Sequence, residues 1–311
     1  MAAVARQSDW AACPLCAGQA FQPFRFGLLR CAGCRLVVDP AVFRPGAADA
    51  LNQDAFGDGY ETKPSFWSRW FEDWKNRRYL ANLRRAGVTR GRLLEVGVGT
   101  GAFLRAARHA GFEVEGCDLS ASLCRRVQQA TGIAVHNVPL EQLPAGTYDV
   151  VAMHHVLEHV SDPVGFLRAA RERLKAGGIL HIAVPNVDCW EALLPGWNSY
   201  EPYHMLYFNH RTLARTVATA GDWLSQSWTF EAFSVWFLAI LRTVAGVNRA
   251  DSAVIRRPAE FARSGSGHRP AFVEHLYRLA MLGFGMAAYP LRLVQSALGR
   301  GDELICIARK R

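Results

Sequence analysis

Residues 93–104 read Leu93-Leu94-Glu95-Val96-Gly97-Val98-Gly99-Thr100-Gly101-Ala102-Phe103-Leu104. An apolar run ends beside an acid, passes through three alternating glycines and opens into a helical pattern. This is how a buried strand enters a helix through a tight turn. Glycine lets the backbone bend sharply there and come close to a ligand with no Cβ in the way.

The flanking sequence alternates in the same manner. Strands are predicted at Arg92–Val96, Glu113–Asp118, Tyr148–Met153, Ile179–Val184, Trp223–Phe230 and Glu303–Ala308. Helices are predicted at Ala102–Ala110, Ser120–Thr131 and Pro163–Leu174, with Gly177-Gly178 stopping the last. Such alternation builds an α/β fold with a doubly wound, mainly parallel sheet and helices on both faces. Asp118 ends the strand after the glycine turn, where nucleoside-binding folds set a carboxylate on ribose hydroxyls.

Two cofactors compete for this loop. The pyrophosphate of a nicotinamide dinucleotide would be repelled by Glu95, and the spacing is GxGxG instead of GxGxxG. A sulfonium cofactor bearing an ammonium group would be attracted by the same acid. The sign of the charge favours S-adenosylmethionine.

Cys13-Pro-Leu-Cys16 and Cys31-Ala-Gly-Cys34 are two CxxC pairs about fourteen residues apart. Cys13, Cys16, Cys31 and Cys34 match a four-thiolate Zn2+ site, a zinc ribbon or knuckle. Four sulfur ligands leave no open position for water, so the site reads as structural. Cys117, Cys124, Cys189 and Cys306 stand in apolar contexts and read as core.

The chain has 311 residues, half of them apolar, and a formal net charge of +9. One catalytic domain with additions at its edges fits that length. The charge suits an anionic partner: a nucleic acid, a phosphorylated metabolite or an acidic membrane surface. Lysine occurs only at Lys63, Lys75, Lys175 and Lys310, so the excess is almost wholly arginine. The absence of a concentrated basic stripe argues against nucleic acid. The opening residues lack an apolar signal region, which points to the cytoplasm and reduced thiols.

Residues 1–40 are assigned to the zinc ribbon. Residues 41–85 hold a Pro/Gly-rich linker (Pro40–Thr62) and an amphipathic helix carrying Phe66, Trp67, Trp70, Phe71, Trp74 and Leu80. That helix packs on the main domain or covers its substrate pocket. Residues 86–232 form the nucleotide-binding domain, and residues 300–311 supply its last strand. Between them, 233–299 read as a helical insertion, with apolar stretches at Phe233–Val247 and Leu276–Leu298 and a flexible turn at Ser264–Gly267. Neither stretch is long enough to span a bilayer. Its aromatic and basic residues (Trp236, Phe237, Arg242, Tyr277, Arg278, Tyr289, Arg292) suit a lid, a dimer surface or a peripheral contact with the inner membrane face.

Five stretches together resemble class I S-adenosylmethionine-dependent methyltransferases, in the group of the ubiquinone-biosynthesis O-methyltransferases. They are LLEVGVGTGAFL (93–104), VEGCDLS (114–120), YDVVAMHHVLEHVSDP (148–163), LKAGGILHIAVPN (174–186) and YHMLYFNHRTL (203–213). The resemblance implies a seven-stranded Rossmann-like sheet. It implies that Gly97, Gly99 and Gly101 line the methionine part of the cofactor, with Glu95 near its ammonium. Asp118 would hold the ribose, Leu119 would lie against the adenine, and Leu140 and Glu141 would reach the adenine edge. Met153 and His154 would sit beside the methyl group. The ubiquinone enzymes have an acid at the position of His155, and some of that group bind a divalent metal there. Glu158 and His159 have a plainer reading as braces of the loop. His204 falls near the pocket mouth and is the first candidate for a general base, followed by His155 and His159.

The methyl acceptor implied is a small molecule, sugar, quinone or lipid-linked compound. The rival readings are a zinc-ribbon RNA methyltransferase and a cofactor-binding module without activity. Against the first, Pro185-Asn186 is not followed by the Pro-Tyr that flipped-base enzymes carry. The intact glycine turn and Asp118 speak against the second.

Overall fold

The structure is a computed structural model that describes residues 12–43, 66–200, 203–230, 235–246, 279–280 and 282–311. Residues 44–62 of the linker, the turn at Ser264–Gly267, and Tyr277 and Arg278 lie outside the described residues. So do the side chains of Phe66 and Trp67.

Seven strands make the main sheet: β4 (Gly91–Val96), β5 (Phe112–Cys117), β6 (Val135–His136), β7 (Tyr148–His154), β8 (Leu174–Pro185), β10 (Trp223–Phe230) and β11 (Glu303–Lys310). Their order is β10-β11-β8-β7-β4-β5-β6. Neighbours from β6 to β8 run parallel, and β11 is antiparallel to both β8 and β10. The chain therefore reverses its strand order beside β4, and the glycine turn leaves the sheet at that switch point.

Both faces of the sheet are covered, which explains the continuous apolar runs in its central strands. On one face α1 (Phe66–Arg85) and α2 (Ala102–His109) bring Tyr79, Leu83 and Phe103 against Leu93, Val150 and Ile305. On the other, α4 (Pro163–Arg173) and α5 (His210–Ala220) bring Leu167, Leu213 and Val217 against Val151, Met153 and Ile182. Helix α3 (Ala121–Thr131) begins at Ser120, whose hydroxyl accepts from the Leu123 N–H, and ends at Gly132 in the left-handed region.

Gly177-Gly178 does not stop a helix. Helix α4 ends at Arg173, and both glycines lie inside β8, where the register against β7 shifts between Tyr148 and Val150. Leu174 pairs with Tyr148 and both are fully buried, so core packing starts the strand before the glycines.

Of the insertion, α6 (Val235–Val244) and α7 (Tyr289–Ala297) lie between β10 and β11 in sequence. A polar chain ties them to the body: Trp236 Nε1 donates to Gln295 Oε1 at 2.8 Å, and Gln295 Nε2 donates to Glu191 Oε2 at 2.6 Å. Among the described residues, no helix is long and apolar enough to cross a membrane.

A second sheet joins the two ends of the sequence reading. β1 (Phe21–Pro23), β2 (Leu29–Cys31) and β3 (Val37–Val38) carry the cysteine pairs, and β9 (Leu206–Tyr207) completes the sheet in the order β1-β2-β3-β9. Val37 pairs with Tyr207 and Val38 with Leu206, and the Asp39 N–H donates to the Met205 carbonyl at 2.9 Å. Leu28 and Val37 share one buried cluster with Trp197, Tyr200 and Tyr207.

Candidate active site

The glycine turn leaves the carboxyl end of β4 beside that of β5, the place where open α/β sheets receive ligands. Gly97 and Gly99 have φ of +74° and +47°. A Cβ at Gly97 would lie 2.5 Å from Val156 Cγ2, whereas one at Gly99 would meet no atom within 4 Å. The first glycine is thus needed by packing, and the second leaves open space for a ligand.

Glu95 is buried at the base of this turn, and its Oε2 has no hydrogen-bond partner among the described residues. Burial, then the nearby charges of Asp118 and Glu72, push its pKa well above the usual carboxylate range. A buried acid left unmatched in this way suits an incoming cation. Asp118 follows β5. Its Oδ2 accepts from the Val98 N–H at 3.1 Å and its Oδ1 from the Ser120 N–H at 2.8 Å. Each oxygen keeps a second lone pair for a hydroxyl donor. Leu119 next to it is 68% exposed, an apolar surface beside the open turn. These features fit the nucleoside, the ammonium group and the sulfonium of S-adenosylmethionine.

The other residues expected around this cofactor are placed differently. Met153 and Leu140 are buried in the large core cluster, so their side chains support the site from beneath. The Leu140 carbonyl accepts from Arg173 Nε at 3.0 Å. His154 lies in a dry aromatic stack, 4.1 Å from the Tyr79 ring and bonded to His181 at 3.0 Å. Burial holds its pKa well below 6.5, so it is a neutral imidazole.

Residues 67–221 match the family model described as a methyltransferase domain. This chain carries a methyltransferase domain. Ubiquinone biosynthesis O-methyltransferase of Bordetella avium is 37% identical over 110 residues, which are 32% of this chain and 46% of that protein. The Caulobacter vibrioides protein of the same name is 35% identical over 102 residues, 30% of this chain and 40% of that one. The chain thus spans less than half the length of these relatives. Phosphoethanolamine N-methyltransferase 2 of Haemonchus contortus, solved with S-adenosyl-L-methionine, superposes with a TM-score of 0.51 at 15% identity. That match covers 84% of this chain and 60% of the other, and shows the fold alone.

Beyond the carboxyl end of β7, three histidines converge on Glu158. His155 has a left-handed φ of +57°, and its ring bridges two carboxylates: Nε2 to Glu303 Oε1 at 2.8 Å and Nδ1 to Glu158 Oε1 at 3.4 Å. Burial and Lys75 oppose its charge, yet the two carboxylates raise its pKa to about 9. His155 is therefore an imidazolium at neutral pH. A ring held as a cation between two carboxylates is a weaker proton acceptor than a neutral one, which puts His155 behind His204 as a candidate base.

His159 Nδ1 lies 3.1 Å from the Tyr203 carbonyl and His204 Nδ1 lies 2.8 Å from the Ser199 carbonyl. A carbonyl only accepts, so both rings carry a proton on Nδ1, and the lone pair of a neutral ring there is on Nε2. Burial lowers the His204 pKa below 6.5, with Glu158 opposing. His204 is thus a neutral base already deprotonated at neutral pH.

Glu158, His159 and His204 are buried, and their ligating atoms lie within 4.8 Å of one another. These three could hold a metal ion. The acid that the ubiquinone enzymes carry at position 155 is a histidine here, which counts against the divalent metal that some of them bind. The four cysteines fit a zinc ion. Their sulfurs lie within 4.8 Å of one another, with Cys13–Cys34 at 3.4 Å and Cys16–Cys31 at 3.5 Å. Sulfurs around a tetrahedral zinc-type ion would be spaced in this range.

Tyr79 and Glu303 escaped the sequence reading. The Tyr79 hydroxyl donates to Glu303 Oε1 at 2.5 Å, on the same oxygen that holds His155. The available signal was an acid opening the otherwise apolar strand Glu303-Leu304-Ile305-Cys306.

Proposed function

We propose that the chain is an S-adenosylmethionine-dependent methyltransferase that methylates a hydroxyl of a small-molecule acceptor, with His204 as general base. The observation that carries this reading is the buried, neutral His204, its tautomer fixed by the Ser199 carbonyl, in the segment bonded to the loop after β7 through the Met205 N–H and the Glu158 carbonyl.

Methyl transfer is an in-line displacement at the sulfonium carbon, in which the hydroxyl oxygen forms a bond to carbon as the carbon–sulfur bond breaks. The sulfur leaves neutral, and the hydroxyl proton must be taken up. His204 Nε2 takes that proton. The glycine turn, Asp118 and Glu95 hold the cofactor, so that most of the rate comes from alignment. The methyl donor binds at the turn of Gly97 and Gly99. His155, held as a cation between Glu158 and Glu303, lends a fixed positive charge near the reacting oxygen.

The test uses labelled S-adenosylmethionine and a small-molecule extract as the acceptor source. His204→Gln is expected to lower turnover by about 10²–10⁴-fold at unchanged cofactor affinity. The wild-type rate should be flat at neutral pH and fall only on the acid side of 6.5, since the His204 pKa lies below that value. Wild-type turnover by the variant, or an acid limb that persists in it unchanged, removes His204 as the base. Failure of the protein to bind the cofactor removes the whole reading.

A further inference from the structure

A cavity of about 330 Å³ opens where the ribbon, the end of β8, the start of α5 and the segment after α7 meet. Arg35, Arg211 and Arg300 line it from three distant parts of the chain, with His210 and Asn209 beside them. Asp188 is the one acid among its lining residues, and its Oδ2 already accepts from Asn209 Nδ2 at 3.0 Å. Arg300 Nη1 donates to the Asp188 carbonyl at 3.0 Å, which holds that guanidinium at the rim. Three arginines thus face a single acid across the cavity.

The arginines stand on fixed backbone. Arg35 follows the ligand-bearing Cys34, its N–H donates to the Cys31 carbonyl at 3.0 Å, and Leu36 after it is fully buried. Arg211 sits in the first turn of α5, whose start is fixed by the reciprocal bonds of Asn209 and Thr212. Arg300 has its N–H on the Gln295 carbonyl at 2.9 Å. The side chains themselves are exposed, so the fixed backbone sets where each planar guanidinium can reach, and that group is matched to phosphate oxygens.

The position of the cavity matters as much as its charge. Asn186, the residue after β8, lines it, and Pro185 just before pairs with Glu303, the partner of His155. The cavity is therefore on the same rim of the sheet as the acceptor-side histidines, where open α/β sheets receive ligands. A larger cavity of about 380 Å³, lined by Ile179, Leu224 and Arg309, lies at the opposite ends of these strands.

We propose that the arginine-lined cavity receives the phosphate or diphosphate group of the methyl acceptor. This rests on the methyltransferase reading above and adds that the substrate is a phosphorylated small molecule. The anion would anchor one end while the hydroxyl reaches His204.

The experiment titrates inorganic pyrophosphate into the full, zinc-loaded protein by calorimetry. One-site binding that weakens with salt is expected. Arg35→Ala and Arg211→Ala should each weaken it at least tenfold, with S-adenosylmethionine affinity and zinc content unchanged. Absence of binding, or equal affinity in both variants, overturns the proposal. A second arm treats the acceptor extract with phosphatase before labelling. Loss of the labelled product supports a phosphate carried by the acceptor. Undiminished labelling means that the cavity serves free phosphate, and overturns the proposal. A third arm substitutes single-stranded RNA as titrant. Arginine-dependent RNA binding without pyrophosphate binding would make the cavity part of a nucleic-acid track and overturn it as well. Pyrophosphate binding is measured without the cofactor, so its failure is distinguishable from failure of the methyltransferase reading.

Discussion

His155 Nε2 and Glu303 Oε1 lie 2.8 Å apart, joining the loop after β7 to the first residue of β11. The bond spans almost half the chain and closes the acceptor side of the site. His155 is raised to about 9, and Glu303 is held down at about 2 by His155, Lys75 and Tyr79 against the effect of burial.

The two shifts set opposite pH limits. The His155 contribution to stability is complete below the usual histidine value of 6.5 and is lost as pH rises through about 9. The Glu303 contribution is complete above 4.5 and is lost as pH falls through about 2. Thermal melts of Glu303→Gln should therefore show a smaller alkaline decline than the wild type between pH 6.5 and 9, with Glu158 sustaining the remainder. At pH 6 the variant should be less stable by about 1–3 kcal/mol. A wild-type pH profile in the variant contradicts the pairing.

In the proposed complex Asp118 would offer two charge-assisted acceptors to the ribose hydroxyls. Asp118→Ala is expected to weaken S-adenosylmethionine binding by about 2–4 kcal/mol. Calorimetry on wild type and variant measures it directly, and equal affinities would move the ribose elsewhere.

Gly97 and Gly99 should fail differently. Gly97→Ala places a Cβ 2.5 Å from Val156 at a φ of +74°, so the melting temperature should drop, with a cost of about 1–3 kcal/mol. Gly99→Ala meets no protein atom within 4 Å, so its larger effect should appear in cofactor affinity. The same melting loss in both would mean that the open space over Gly99 is not where the ligand lies.

Removing the metal should disturb the acceptor side before the cofactor side. The cysteine sheet holds β9 and packs Leu28 and Val37 against Trp197 and Tyr200. Chelation is expected to change tryptophan emission and speed hydrogen exchange over residues 197–207 while cofactor affinity stays within about twofold. Unchanged exchange in that segment would separate the two.

Much of the fold was legible because the parallel strands are buried on both faces and read as apolar runs between glycine turns. The helix end at Arg173 was not, because Leu174 is drawn into the sheet by a partner, Tyr148, that local pattern does not reveal. At the site, the glycine turn, Glu95 and Asp118 follow one another along adjacent strands, so spacing located them. The pairing of His155 with Glu303 was not legible, because the two stand far apart in the chain and no local spacing links them. Tyr79 was hidden for the same reason: its helix reads as aromatic packing, and only the fold puts its hydroxyl on Glu303.

The pairing of β3 with β9 also bears on how the chain is made. Strands β1–β3 leave the ribosome well before their last neighbour, Leu206–Tyr207. Until that segment emerges, Val37 and Val38 present an open edge that only metal-clamped turns restrain, and such late closure slows folding. Expression in zinc-starved cells should therefore yield aggregated nascent protein, and cutting the N-terminal ribbon away should leave β9 as an exposed, sticky border.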